Sequence, residues 1–167
     1  MSYLSQVKKP TPQAPVTTIV GFAGSGKSSL AGLFPSPIFI QAENATSVFE
    51  TMPEDLQPAF FPQLPIANAK RNIKTSEVLF EQLRELMTVE HGFKTVVIDS
   101  ITALNIMFEN EVVEFDDKGA SNIGEAQGGY NKGYLVVAGI HAKLRAACEH
   151  LRKRGISVVF LAHTGIV

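Results

Sequence analysis

Apolar and polar positions divide the chain into short apolar runs and longer segments with helical spacing. Short runs rich in Val, Ile and Phe predict strands, and apolar residues that recur every three or four positions predict helices. The predicted strands comprise residues 16–20, 37–42, 61–67, 95–98 and 156–162. The predicted helices comprise residues 27–33, 75–90, 101–115 and 131–154. Apolar strands that alternate with helices predict an α/β fold, with a mostly parallel sheet between two helical layers.

The ends and connections of these elements carry further signals. Thr75 is a plausible N-cap for the second helix, and Gly155 is expected to end the last one. Residues 44–60 are ambiguous, and residues 116–130 are predicted to form a loop rich in Gly and Asn. All nine prolines lie within the first 65 residues, three of them in residues 1–15. We therefore predict an extended arm over residues 1–15 and a core over residues 16–167.

Composition places the chain among soluble globular proteins. It has 167 residues, 45% apolar content and a net charge of −1, which disfavours a disordered tail, a fibre or a basic nucleic-acid coat protein. No apolar run is long enough to cross a bilayer, and the polar N-terminus lacks the apolar stretch of a secretory signal. The single cysteine, Cys148, cannot form an intrachain disulfide and is expected to pack in a helix face. A cytoplasmic protein is therefore expected.

The segment after the first predicted strand carries the most specific motif. Residues 21–28, GFAGSGKS, fit G-x-x-x-x-G-K-[ST] and open the first predicted helix, so a glycine-rich turn without a ligand is the weaker alternative. The glycines allow backbone N–H groups to curl around phosphate oxygens. Lys27 is expected to reach the β- and γ-phosphates, and the Ser28 hydroxyl is suited to Mg²⁺. The residues predicted to bind the nucleotide are Gly21, Phe22, Ala23, Gly24, Ser25, Gly26, Lys27, Ser28 and Ser29.

Three more polar side chains end predicted strands, where ligands bind in parallel sheets. Asp99 is suited to holding a water of Mg²⁺, unless it or Ser100 caps the following helix. Glu43 is placed to orient or deprotonate a water that attacks the γ-phosphate, or else is a solvated glutamate. His163 is placed to hydrogen-bond the γ-phosphate, or else is a half-buried histidine bonded to a backbone carbonyl.

The order of these motifs resembles the RecA-like P-loop ATPase core. GFAGSGKSSLA, FIQAEN, TVVIDSITAL and VVFLAHT follow one another as they do in that family, over roughly residues 16–165. Within that family the motifs resemble those of small phage and prophage nucleotide-binding ATPases, including the Sak-type single-strand-annealing recombinases. RecA itself usually carries glutamine at the last of these positions, so His163 departs from it toward the phage proteins.

The resemblance implies a role for each matching residue. It implies ATP and Mg²⁺ as cofactors, Lys27 and Ser28 on the phosphates and metal, and Asp99 behind the Mg²⁺. It further implies Glu43 as the catalytic carboxylate and His163 as the γ-phosphate sensor. Single-stranded DNA and a homo-oligomer that supplies an arginine or lysine in trans are the implied partners.

Local charge gives weaker signals about partners. Five acidic residues lie in 109–117 and five basic residues in 143–154, and a solvated helix face explains either run equally simply. The resemblance places a DNA-contacting loop between the Asp99 strand and the last helix, which coincides with residues 118–132, near Tyr130 and Tyr134. A plain flexible connector is the alternative.

Three functions fit these observations. The first is ATP hydrolysis coupled to single-stranded DNA binding in phage recombination or annealing. The second is a P-loop nucleoside or nucleotide kinase, although the first 70 residues contain no arginine for a lid. The third is an ATP-binding regulatory module with little turnover. From the resemblance we also expect the last strand to lie between the phosphate-loop strand and the Asp99 strand. The core is then expected to be truncated at its C-terminus, leaving the phosphate-loop strand as a sheet edge.

Overall fold

The computed structural model describes residues 3–9, 11–44 and 46–165, and the prediction of an arm therefore lies partly outside the described residues. The five strands are β1 (Val16–Gly21), β2 (Pro37–Gln41), β3 (Ala59–Phe60), β4 (Thr95–Asp99) and β5 (Ser157–His163). The four α-helices are α1 (Lys27–Ala31), α2 (Thr75–Thr88), α3 (Ile101–Glu114) and α4 (Lys132–Lys153). Short 3₁₀ helices span Tyr3–Gln6, Thr46–Val48, Glu54–Leu56, Ala69–Arg71 and Ala126–Gly128.

The five strands form one parallel sheet in the order β1-β5-β4-β2-β3. The predicted position of the last strand, between the phosphate-loop strand and the Asp99 strand, is confirmed. Within the described part of the chain β1 pairs with β5 alone, so the expected sheet edge is also found.

Alternate residues of the central strands face two separate apolar clusters. Ile40, Ile98 and Val158 pack with α2, α3 and α4 on one face of the sheet. Phe39 and Val159 pack with Ala31 of α1 and with Phe49 on the other face. Because strand side chains alternate between faces, apolar residues at every position require a cover on both sides. The predicted three-layer α/β fold is confirmed.

The predicted third strand over residues 61–67 is wrong. The strand that pairs with β2 is the two-residue β3, and it ends just before residue 61. The chain after β3 contacts β2 only at intervals, through Phe61 N to Phe39 O at 2.9 Å and Leu64 N to Gln41 O at 2.9 Å. Pro62 and Pro65 have no N–H to donate, and they interrupt a continuous ladder of hydrogen bonds.

The predicted ends of the first two helices differ from the structure. Helix α1 ends at Ala31 and helix α2 ends at Thr88, each two residues earlier than predicted. Thr75 is not the N-cap of α2, because Lys74 occupies that position and the Thr75 hydroxyl donates to Pro65 O at 2.8 Å. The Glu111 side chain of α3 accepts from the N–H of Ser76 instead. A distant residue has replaced the local cap.

Helix α4 confirms the prediction for Cys148. Its side chain is buried in the larger apolar cluster, and burial raises the pKa of the Cys148 thiol to about 12. Gly155 ends this helix region with a positive φ of 81°, as expected for a glycine stop. Among the residues that the structure describes, none of the helices combines the length and hydropathy that crossing a bilayer requires.

Candidate functional site

The carboxyl ends of four strands surround an open cavity of about 410 Å³. Strand register brings them together, because His163 lies opposite Gly21 and Asp99 lies opposite Gln41. The cavity is lined by Ala23, Gly24, Ser25, Gly26, Lys27, Ser28, Ser29, Glu43, Asn44, Val48, Asp99 and His163. The structure thus brings together seven of the nine residues predicted from the phosphate loop with Glu43, Asp99 and His163. The other two, Gly21 and Phe22, do not line the cavity, and their carbonyls accept from Lys27 instead.

The phosphate loop has a backbone that requires its glycines. Gly24 and Gly26 have φ angles of 75° and 84°, a backbone conformation that residues other than glycine rarely adopt. A Cβ atom on Gly21 would lie only 2.7 Å from the Ser25 hydroxyl. Ser25 N donates to Phe22 O at 3.2 Å and closes the turn. The motif therefore forms a tight turn between β1 and α1, the context in which it binds phosphate.

The Lys27 ammonium is buried and is held by three acceptors. It donates to Gly21 O at 3.0 Å, to Phe22 O at 2.9 Å and to His163 Nδ1, where the nitrogens are 3.4 Å apart. Because an ammonium group can only donate, His163 Nδ1 must accept, and the ring proton is on Nε2. Lys27 thus joins the phosphate loop to the end of β5.

Ser28 and Asp99 form the contact between the loop and β4. The Ser28 hydroxyl donates to Asp99 Oδ2 at 2.7 Å across 71 positions of sequence. Burial raises the pKa of Asp99, and the neighbouring Glu43 carboxylate adds to it, while the Ser28 hydrogen bond opposes this shift. The helix cap is Ser100, whose Oγ accepts from Ala103 N at 3.1 Å. Asp99 is therefore directed at the phosphate loop. Of the two candidate caps of α3, Ser100 is confirmed and Asp99 is wrong.

Ser28 and Asp99 also fit a magnesium ion. No group of three or more His, Cys, Asp or Glu side chains within the described ranges could hold a metal on its own. Magnesium bound with a nucleotide needs only one or two protein oxygens, because phosphates and waters complete its octahedron. A hydroxyl beside a buried carboxylate of raised pKa supplies such oxygens, and a cation there would favour the ionised carboxylate.

Glu43 is held by two donors at the same carboxylate oxygen. His163 Nε2 donates to Glu43 Oε1 at 2.9 Å, and the Ser100 hydroxyl makes a short hydrogen bond to the same atom. Partial burial alone would raise the pKa of Glu43, but these two hydrogen bonds and the charge of Lys27 outweigh it and lower the pKa. The carboxylate is ionised at neutral pH. Neither a freely solvated glutamate nor a histidine bonded to a backbone carbonyl describes this pair.

Four residues of the site are not among those predicted from the sequence. Asn44 and Val48 line the cavity. Ser100, a candidate helix cap, also donates its hydroxyl to Glu43. Thr102 Oγ1 accepts from the backbone N–H of His163 at 3.0 Å. The adjacent polar residues in the segment DSIT were the signal in the sequence, but their partners lie 57 and 61 positions away.

The charged runs and the 116–130 loop lie outside this cavity. Glu111 is buried and Glu114 accepts from Ala69 N at 2.9 Å, so the acidic run is more than a solvated face. Asp116 accepts from the backbone N–H groups of Lys118, Ala120 and Gln127, which ties the loop to its own start. Tyr130, at the end of this loop, is 93% exposed.

The comparison with protein families agrees with this geometry. A family model described as an AAA domain matches residues 13–166, nearly the whole chain. The chain therefore belongs to the AAA domain family, whose members are P-loop ATPase-type domains that bind and hydrolyse nucleotides, generally ATP with Mg²⁺. A search of curated proteins finds no match to the chain.

Proposed function

We propose that this chain is a Mg²⁺-dependent ATPase that hydrolyses the γ-phosphate bond of ATP in the cavity at the strand ends. The observation that carries the proposal is the 2.7 Å hydrogen bond between Ser28 of the phosphate loop and the buried Asp99 at the end of β4. It joins a phosphate-binding turn to a carboxylate, the two parts that magnesium-assisted phosphoryl transfer requires.

The other side chains supply a hydrolytic step. Lys27 exchanges the carbonyls of Gly21 and Phe22 for phosphate oxygens and offsets the charge that develops on them. Glu43, ionised and half-exposed at the cavity, orients a water for in-line attack and accepts its proton. Ser28, and Asp99 through a water, would hold the Mg²⁺ ion, which would supply further neutralisation of phosphate charge. His163 Nε2 exchanges the Glu43 carboxylate for the γ-phosphate and in this way responds to the loss of that phosphate.

The proposal extends to single-stranded DNA, as in the Sak-type annealing proteins that the motifs resemble. Support comes from exposed Tyr130 and Tyr134 beside Lys118 and Lys132, near the loop where the resemblance places a DNA contact. Aromatic rings stack on unpaired bases, and lysines neutralise backbone phosphates. A neighbouring copy of the chain supplies an arginine or lysine to the transferred phosphate, so turnover rises on assembly.

The test is phosphate release from ATP with and without a poly-dT oligonucleotide, read beside mass from light scattering. The proposal predicts stimulation by single strands, weaker stimulation by duplex, and larger particles when ATP and DNA are both present. The double variant Tyr130→Ala/Tyr134→Ala should lose the stimulation and keep the basal rate, because both rings lie outside the cavity. Equal turnover with and without DNA would remove the DNA part, and phosphate transfer to a nucleoside would indicate a kinase.

An ATP-binding module with little turnover is the second candidate. It is favoured by the bonds that Lys27 and Glu43 already make to the loop, to His163 and to Ser100. Hydrolysis requires part of this network to open. Tight binding of ATP without phosphate release, also in the presence of DNA, would select this candidate over the ATPase.

A further inference from the structure

Ser100 stands between two groups whose chemistry fixes the direction of its hydrogen bonds. Its side chain is buried, and its Oγ contacts both Ala103 N, at 3.1 Å, and Glu43 Oε1. The backbone N–H of Ala103 can only donate, so the Ser100 oxygen accepts there. The single hydrogen of the hydroxyl is therefore directed to the Glu43 carboxylate.

Resting on the proposed function, we propose that Ser100 is a positioning residue whose hydroxyl holds the Glu43 carboxylate in the orientation that activates the attacking water. Glu43 needs such support because it follows β2 in irregular structure and its side chain is 41% exposed. Ser100 is fixed by the end of β4 on one side and by the first turn of α3 on the other. A mobile carboxylate is thus attached to a rigid element.

The geometry at the carboxylate leaves room for this role. Ser100 and His163 both donate to Oε1, so neither of them occupies Oε2, the oxygen available to orient a water. His163 is attached to the same helix turn, because its backbone N–H donates to Thr102 Oγ1. The first turn of α3 therefore fixes both groups that face the γ-phosphate position.

The central experiment measures steady-state ATP hydrolysis by Ser100→Ala, Ser100→Thr and Glu43→Gln. A hydrogen bond to a charged group that positions a reactive side chain accounts for about a ten- to hundredfold change in rate. Ser100→Ala should therefore lower kcat by about ten- to hundredfold and leave KM for ATP within about twofold. Ser100→Thr keeps the hydroxyl and should restore kcat to within about threefold of the original chain.

A double variant separates positioning from a general structural effect. In the Glu43→Gln background, where residual phosphate release is followed with radiolabelled ATP, adding Ser100→Ala should change kcat by less than about twofold. Ser76→Ala is the matched control, since it removes another hydroxyl–glutamate hydrogen bond, of 2.5 Å to Glu111, far from the cavity. It should lower the melting temperature and leave kcat unchanged. If Ser100→Ala does not fold, Ser100→Cys, with a weak S–H donor, replaces it.

The outcomes distinguish this inference from the proposed function. If Glu43→Gln is impaired but Ser100→Ala hydrolyses ATP at the original rate, the inference is overturned and the ATPase stands. An equal loss from Ser100→Ala in both backgrounds shows that Ser100 acts apart from Glu43, and this also overturns the inference. A chain that binds ATP but never hydrolyses it overturns both.

Discussion

Helix α3 carries a serine–glutamate hydrogen bond at each end, and the two have different surroundings. At its start Ser100 donates to Glu43, which is 41% exposed and borders a cavity beside Lys27 and His163. Near its end Glu111 is only 5% exposed, and both of its oxygens are bonded to Ser76, the second residue of α2. The same chemical pair thus occurs once at a half-exposed carboxylate beside the phosphate loop and once at a buried carboxylate that lines a different cavity, of about 350 Å³.

The comparison shows which glutamate can act on a ligand. Glu111 uses both oxygens inside the fold. It supplies the hydrogen bond to the start of α2 that the side chain of the N-cap residue, Lys74, does not make, so its carboxylate stabilises the structure. Glu43 is held through one oxygen and has cationic and hydrogen-bonding neighbours from three strand ends. Both glutamates line a cavity, so Glu43 is distinguished by the adjoining phosphate loop and by its Oε2, which neither Ser100 nor His163 contacts.

The largest expected effect is on turnover in Glu43→Gln. The amide cannot accept the proton of the attacking water, so phosphate release should fall by about a hundredfold or more. Because the residue is half-exposed, the melting temperature should change by no more than about 2 °C, and ATP binding should persist. Unchanged turnover would remove Glu43 from the mechanism.

Glu111→Ala should show the opposite behaviour. Both hydrogen bonds to Ser76 are lost and the buried N–H of Ser76 is left unmatched, at a cost of about 2 kcal/mol. For a chain of this size that corresponds to a melting temperature lower by about 4–8 °C in calorimetry. ATP affinity should be unchanged. A variant as stable as the original chain would contradict the assignment of Glu111 to the fold.

The smallest effect concerns Asp116, a partly exposed carboxylate just after α3. Hydrogen bonds from Gln127, Ala120 and Lys118 outweigh a small desolvation and lower the pKa of Asp116 below its usual 3.8. The bonds therefore stabilise the loop above pH 3.8 and are lost as the pH falls through the lower folded value. An NMR titration should show the Gln127 amide shifting below pH 3.8, and Asp116→Asn should abolish that shift. A midpoint at or above 3.8 would contradict these bonds.

The sequence predicts those parts of the sheet and the site that depend on neighbouring residues or on a regular spacing of apolar positions. The apolar run ending at Asp99 and the phosphate-loop motif are both visible in a few consecutive residues. Because carboxyl ends of parallel strands meet at one edge, Lys27, Glu43, Asp99 and His163 were expected to lie together, and they do. Their roles in catalysis remain predictions.

Partners distant in sequence account for what was missed. The N–H of Ser76, near the start of α2, donates to Glu111, which lies 35 positions further along the chain. The prediction of Thr75 as the cap, based on neighbouring residues alone, is therefore wrong. The second bond of Ser100 and the contact of Thr102 with His163 depend on how α3 is packed against β5 and against the segment that follows β2. The prediction of a third strand failed for a local reason, because its two prolines interrupt the hydrogen-bond ladder. That this segment nevertheless lies beside β2 depends on tertiary contacts.

Every role proposed for the cavity requires that the phosphate loop binds ATP. Isothermal titration of Mg–ATP into Lys27→Ala tests this binding most directly. Lys94→Ala is the matched control, since Lys94 is exposed and lies outside the cavity. The original chain and Lys94→Ala should bind one ATP per chain with equal affinity. Lys27→Ala should bind at least about thirtyfold more weakly, because a charged partner of the phosphates is lost. Equal affinity in Lys27→Ala would contradict the assignment of the site.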